Sequence, residues 1–319
     1  MTSSFRHELI GILVGGLLVG CQPDVPSPDA SDVPMRSIEH AMGTTQIPVS
    51  PQRVVVLDSA PLANAFALDI IPIGRPESAD APFYPEDNKT ITSIGIGRQP
   101  NLETVLSLRP DLILGSMVTE EGFYQNLSRI APTVYTEDNG RYGHWQKHFL
   151  LHADALGQVE KASELLAAYQ QRVDMLKSKL SPSPQTLTAS VIFNWPGGTS
   201  AYTTSSFPGA VLQDLGFKRN PAQDTSENYA IHPSKEELAA IDGDIIFLAY
   251  NSRNEGSIAK AEFVSNPLWS TLNAVERGIV CEVSSAIWAG GRSILAANQI
   301  LTDVEACLAS EIEATETGE

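Results

Sequence analysis

Short apolar runs alternate with amphipathic stretches along most of this chain. Residues 53–57 (RVVVL), 70–73, 112–114 and 133–135 are brief, continuous and rich in β-branched side chains. That is the pattern of strands covered on both faces of a parallel sheet. Between them, 61–68, 101–108 and 120–130 carry helical spacing. The second half repeats the style, with strands expected at 189–193, 244–249 and 279–283 and helices around 209–215, 234–241 and 293–308. Strands and helices in alternation predict an α/β fold.

One echo between the halves is explicit. Glu103, Leu108, Asp111 and Ile113 align without a gap on Glu236, Ile241, Asp244 and Ile246, and each copy reads as a helix, a tight turn and a buried strand. Between the copies, residues 158–180 contain no Gly or Pro, and Leu165, Leu166, Tyr169, Val173 and Leu176 fall on one helical face. Such a helix spans roughly 30 Å, and Ser181-Pro182-Ser183-Pro184 ends it. The expected architecture is two pseudo-symmetric α/β lobes with mostly parallel sheets, joined by one long α-helix.

The ends of the chain change the picture of where it works. Arg6-His7, an apolar run from Leu9 to Val19 and Gly20-Cys21 have the order of a lipoprotein export leader, too short for a membrane-spanning helix. Cys21 is then the acylated residue. Residues 22–34 are rich in Pro, Ser and Asp and read as a spacer. The expected division is leader 1–20, linker 21–37, N-terminal lobe 38–157, joining helix 158–180, C-terminal lobe 181–310 and acidic tail 311–319. A formal net charge of −17 argues against a nucleic-acid partner. Cys281 and Cys307 either pair or stay as buried thiols; the sequence leaves both open.

These stretches together resemble the solute-binding proteins of iron–siderophore and cobalamin ABC importers. The resemblance rests on 51–57, Pro100-Asn101-Leu102-Glu103 with 108–113, Ile130-Ala131-Pro132, the Glu236 repeat, Asn266-Pro267-Leu268-Trp269 and 286–291, in the family's order. It implies a monomeric, extracytoplasmic, lipid-anchored binding protein that is not an enzyme and delivers its ligand to a membrane permease. Glu103 and Glu236 would be the docking carboxylates, with Glu237 as the alternative to the second. It also implies Arg98, Tyr229 and Trp288 as ligand contacts, from their match to a ferric hydroxamate-binding relative.

Open α/β sheets bind ligands beyond strand C-termini, which adds Met117, Trp195, Tyr250 and Arg253 as candidates. Guanidinium and aromatic groups suit a bulky chelate with anionic oxygens, and Arg98 with Tyr229 and Trp288 favours a hydroxamate or citrate–hydroxamate ferric complex. A cobalamin- or haem-binding protein of the same fold, or a direct metal-ion binding protein, is the alternative. No cofactor is expected, because iron arrives inside the chelate. His144, His148 and His152 stand at four-residue intervals, but no nearby cysteine completes a metal site, so no protein-ligated metal is expected. Nucleophile-elbow, phosphate-loop and zinc-protease motifs are all missing from the sequence.

Overall fold

The computed structural model describes residues 33–77, 81–119, 121–250 and 254–316. The leader, Cys21, most of the spacer and Arg253 lie outside these residues. A hairpin of β1 (Met35–His40) and β2 (Gly43–Pro48) opens the folded part. β3 (Val54–Val56), β4 (Gly74–Arg75) and β5 (Thr92–Ser93) then begin a five-stranded sheet. A small separate hairpin follows, β6 (Gly95–Ile96) with β7 (Gln99–Pro100). β8 (Leu112–Ser116) and β9 (Thr133–Thr136) complete the sheet in the order β5-β4-β3-β8-β9, with every pairing parallel. Its helices are α1 (Ser59–Ala67), α2 (Leu102–Ser107), α3 (Glu121–Leu127) and α4 (Trp145–Ala155).

The joining helix is α5 (Val159–Lys179), one residue shorter at each end than its pattern predicts. Ala162, Tyr169, Val173 and Leu176 are its buried face. The second sheet contains β10 (Thr188–Trp195), β11 (Gly198–Tyr202), β12 (Lys218–Arg219), β13 (Ala230–Ile231), β14 (Ile245–Tyr250) and β15 (Val280–Ser284). Its order is β13-β11-β10-β14-β15, with β12 also paired to β10. β10, β12, β14 and β15 run parallel, whereas β11 and β13 are antiparallel additions. The helices here are α6 (Phe207–Asp214), α7 (Asn254–Val264), α8 (Asn273–Glu276), α9 (Ser285–Trp288) and α10 (Ile294–Glu316).

Two expectations need correction. The apolar stretch 70–73 is not a strand: Asp69 turns the chain at φ 58° and Ile71 is 60 % exposed. The strand forms at Gly74–Arg75, because a Cβ on residue 74 would meet Leu108 at 2.8 Å and Ile94 at 3.0 Å. Close packing there demands glycine, and glycine hides the strand from a hydrophobicity reading. Residues 234–241 do not make an α-helix either. A turn closed from Glu237 N–H to the Ser234 carbonyl (3.1 Å) leads into a 3-10 turn, Leu238–Ile241. Its three-residue repeat stacks Leu238 and Ile241, which are both buried.

Residues 34–319 form one compact unit, and the reason lies in the core. One apolar cluster runs from Val54, Leu62 and Leu114 through Trp145, Tyr169 and Val173 to Val191, Phe247 and Ile300. It includes inner faces of both sheets together with α4, α5 and α10. Separate clusters back each sheet, one around Val55, Ile113 and Tyr135 and the other around Ile192, Ile246 and Trp269. α10 lies along α5, tied by Arg172 Nη1 to the Asn298 carbonyl (2.9 Å) and Lys179 Nζ to Glu305 Oε1 (2.8 Å). Moving one lobe against the other would open this shared core, so the fold permits small rather than wide excursions.

Candidate functional site

A cleft of about 820 Å³ opens between the two sheets. Its C-terminal-lobe wall is built from strand ends, as open α/β sheets require: Trp195 ends β10, Tyr202 ends β11, Tyr250 ends β14 and Ser284 ends β15. The wall continues through α9 and Gly290-Gly291 to Arg292. The other lobe adds Ser59, at the start of α1, and Tyr84. Arg141 stands at the junction, where Tyr142 bridges antiparallel to Ser206 and the Arg141 carbonyl accepts the Phe207 N–H at 3.1 Å.

The aromatic groups form a connected surface. Phe193 stacks on Trp195 with ring centroids 5.3 Å apart, and Tyr142 meets Tyr229 edge-on at 5.5 Å. Arg141 lies 4.8 Å over the Tyr229 ring, a cation–π contact that fixes the guanidinium without neutralising it. The Tyr250 hydroxyl donates to Glu282 Oε2 at 2.9 Å, and Lys260 sits 4.6 Å over its ring. His232, exposed at the rim, shares a 3.1 Å hydrogen bond between Nδ1 and Ser200 Oγ.

Electrostatically the cleft is the inverse of the chain. Among the described residues no carboxylate lines it, yet Arg141 and Arg292 do. Desolvation, and after it the charge of Arg141, pushes the Arg292 guanidinium below its ordinary value, but a guanidinium stays charged in a protein. Arg292 Nε donates to the Ala289 carbonyl at 3.1 Å, and its backbone sits at φ 42°, a left-handed conformation that costs a non-glycine residue about 1 kcal/mol or more. Asp58 is recessed behind the first turn of α1. Burial raises its carboxyl above the usual range, against the 2.6 Å hydrogen bond from Ser116 Oγ and the pull of Arg292 and Arg98. Desolvation also pushes the Tyr202 hydroxyl up to about 12, so it remains a donor.

Of the candidate ligand contacts, Tyr229, Trp195 and Tyr250 line the cleft. Trp288 does not. It is 0 % exposed, stacks on Phe247 at 4.7 Å and donates from Nε1 to Asp303 Oδ2 at 2.8 Å. It anchors the wall from behind. Arg98 is exposed and Met117 is 46 % exposed, and neither lines the cleft; Arg98 acts there only through its charge on Asp58. The sequence reading missed Arg141, Tyr202 and His232. Arg141 follows β9 by five residues, so the rule that found Tyr250 would have found it.

The histidine stripe is accounted for elsewhere. His152 Nδ1 pairs with Asn64 Nδ2 at 2.9 Å, and burial pushes its pKa down to about 3. His148 is also buried and its pKa lowered by desolvation. Among the described residues no group of three or more His, Cys, Asp or Glu could hold a metal ion, and no helix is long and apolar enough to cross a membrane. Cys281 and Cys307, left open by the sequence, are joined in a disulfide.

The profile of the periplasmic binding protein family matches residues 54–286. The chain belongs to that family. It is an extracytoplasmic substrate-binding transport protein, and its relatives are not enzymes. Among these relatives, a probable siderophore-binding lipoprotein of Bacillus subtilis is 35 % identical over 291 residues, 87 % of this chain and 89 % of its own. The Fe(3+)-citrate-binding protein of the same organism is 30 % identical over 315 residues, 94 % and 97 % of the two chains. Staphylococcus aureus SirA complexed with staphyloferrin B superposes with a TM-score of 0.78 at 29 % identity, covering 86 % of this chain and 98 % of SirA.

Proposed function

We propose that this periplasmic binding protein captures a ferric chelate whose free oxygens are carboxylate-rich, a citrate-type siderophore complex, and hands it to an ABC importer. The carrying observation is the pairing of Arg141 and Arg292 with an aromatic wall in a cleft that no carboxylate lines among the described residues. Guanidinium groups match carboxylate geometry and keep their charge, while Trp195, Tyr202 and Tyr229 cover the apolar parts of a bulky ligand. The relatives named for siderophore and ferric citrate binding support the same reading. This choice narrows the expectation of a hydroxamate or citrate–hydroxamate complex, which leaned on Arg98, Tyr229 and Trp288; of these three only Tyr229 lines the cleft. Iron enters within the chelate and needs no protein ligand.

Delivery rests on Glu103 and Glu236. Both are exposed, and Glu236 has no hydrogen-bond or ion-pair partner among the described residues. Glu237 is engaged instead: its carboxylate accepts the Ser234 N–H at 2.9 Å, which lowers its pKa. That favours Glu236 as the second docking group. A lipid on Cys21 would hold the protein at the membrane surface while it meets the permease.

Trp195 makes the test direct. Intrinsic fluorescence of the leaderless protein is titrated with ferric citrate, a ferric hydroxamate, a ferric catecholate, cobalamin, haem, free Fe(3+) and free Zn(2+). Saturable quenching that is tightest for the citrate complex, and that Trp195→Phe diminishes, supports the proposal. Preference for another chelate, or response to bare ions alone, overturns it.

A further inference from the structure

The disulfide between Cys281 on β15 and Cys307 on α10 has a Cα–Cα distance of 5.9 Å and a sequence separation of 26. The covalent ring it closes contains the cleft wall from Ser284 to Arg292. That wall is one short helical turn, continued by hydrogen bonds from the Gly290 N–H to the Ser285 carbonyl and from the Gly291 N–H to the Ile287 carbonyl (3.0 Å each), and then an arginine in a left-handed backbone conformation. Two adjacent glycines give such a segment much conformational freedom, and a backbone like that of Arg292 persists only when its surroundings hold it.

The hold comes from α10. Asp303 and Cys307 are one helical turn apart and so share a face. Cys307 grips the wall at its start through Cys281, and Asp303 grips it near its middle through Trp288 Nε1 at 2.8 Å. Phe247 supports the same indole from the sheet, with ring centroids 4.7 Å apart. Ser293 Oγ then accepts the Ala296 N–H at 3.3 Å and starts α10 immediately after Arg292. The wall thus leaves the sheet at Ser284, three residues beyond the disulfide, and runs into the same helix at its other end.

We infer that the Cys281–Cys307 disulfide is a positioning device for ligand capture, holding the 284–292 wall and its Arg292 guanidinium in binding geometry before the ligand arrives. The inference rests on reading the cleft as the ligand site. A wall ordered in advance has less freedom to lose on binding, and affinity rises accordingly. The effect belongs mainly to dissociation, because a loosened wall releases the chelate sooner.

The test compares the leaderless protein with the double variant Cys281→Ala/Cys307→Val, both titrated with ferric citrate at 10 °C. Hydrogen exchange and thermal midpoints are recorded alongside. The expected result is about tenfold weaker binding, a faster off-rate and faster exchange confined to 284–292. Affinity and exchange equal to the parent overturn the inference. If the double variant does not fold, parent protein reduced with dithiothreitol, its free thiols counted and its far-ultraviolet spectrum unchanged, takes its place with the same two outcomes. Should the parent bind no ferric chelate, the ligand reading fails by itself, and exchange at 284–292 still decides whether the disulfide orders the wall.

Discussion

The segments around Glu103–Ile113 and Glu236–Ile246 share a sequence pattern, and the structure shows what the pattern preserves. In the first, Asp111 N–H donates to the Arg53 carbonyl at 3.0 Å while its carboxylate accepts N–H groups from Gln52 (2.7 Å) and Arg53 (2.9 Å). In the second, Asp244 N–H donates to the Thr188 carbonyl at 2.7 Å and its carboxylate accepts Thr188 N–H at 2.8 Å. Each aspartate therefore locks the entry of its own strand to that of the central neighbour, β8 to β3 and β14 to β10. What precedes the aspartate differs: an α-helix in one half, a 3-10 turn in the other. The sheets diverge as well, since only the second carries the antiparallel strands β11 and β13. Tyr202 ends β11 and Tyr229 immediately precedes β13. The shared frame is a strand-locking device, and two of the tyrosines that line the cleft, Tyr202 and Tyr229, come from where the second half departs from it.

If that division is right, the largest losses of ligand affinity come from the second half. Arg292→Gln should weaken ferric chelate binding about 100-fold, or about 2.8 kcal/mol. Arg141→Gln, at the junction and already spread over the Tyr229 ring, should cost about tenfold. Fluorescence titration ranks them, and the reverse order would break the comparison. The aspartates should behave in the opposite way. Asp111→Ala and Asp244→Ala each remove charge-assisted hydrogen bonds to strand-entry amides, for about 1.5–3 kcal/mol of stability apiece. Urea unfolding should give costs within a factor of two of each other, with ligand affinity retained. A large cost at one site only would mean that the echo is a sequence coincidence.

The proposed docking would use the shared frame rather than the departures from it. Glu103→Ala with Glu236→Ala should lower import by about tenfold, about 1.4 kcal/mol, with ligand affinity intact. Glu237→Ala should leave import near the parent level. An uptake assay in cells that carry the cognate permease separates the two variants, and equal loss from Glu237→Ala would exchange the assignment.

How far these features could be read in advance follows from burial. β3, β8, β10 and β14 were legible because continuous aliphatic runs have few alternatives to a doubly covered sheet. β11 (GTSAY) and the two-residue β13 carry no such signal, and they exist through pairing with β10 and with each other. In the cleft, Trp195 and Tyr250 were legible from position alone, since each ends a strand. Trp288 was expected at the ligand from its match to a relative, although an indole before Gly-Gly fits a cleft rim or a core equally well. The choice is made by Phe247 and Asp303, both distant in sequence. Arg141 follows β9 in a loop rich in polar and turn residues, and the Tyr142–Ser206 bridge together with the Phe207 N–H bond to its carbonyl brings it to the other lobe.

The halves should also differ in acid. α4, in the first half, carries His148 and His152, whose pKa values burial lowers, the second to about 3. The unfolded chain takes up these protons below about 6.5, whereas the folded chain resists them. Their contribution is fully present above that pH and is lost as pH falls below it, for His152 from about 6.5 toward 3. The slope is up to about 1.4 kcal/mol per pH unit for each histidine. His152→Gln should flatten the pH dependence of the urea midpoint between pH 6.5 and 5 by about that amount. An unchanged slope would place the acid sensitivity elsewhere.

The smallest expected effect separates the two echo segments most finely. Asn101 precedes Glu103 by two residues, as Ser234 precedes Glu236. Asn101 Oδ1 accepts the Thr104 N–H at 3.0 Å and caps an α-helix, so Asn101→Ala should cost about 1 kcal/mol. At Ser234 the backbone N–H instead donates to the Glu237 carboxylate, half of a capping box around a turn that never becomes α-helical. Ser234→Ala leaves that main-chain donor in place and should cost less than half as much, by the same urea measurement. Equal costs would mean that the second segment forms a capped helix in solution, and the asymmetry between the docking sites would disappear. With unequal costs, Glu103 projects from a rigid helix and Glu236 from a tight turn. A permease would then meet two carboxylates of different freedom, and the more ordered one would give up less entropy on docking.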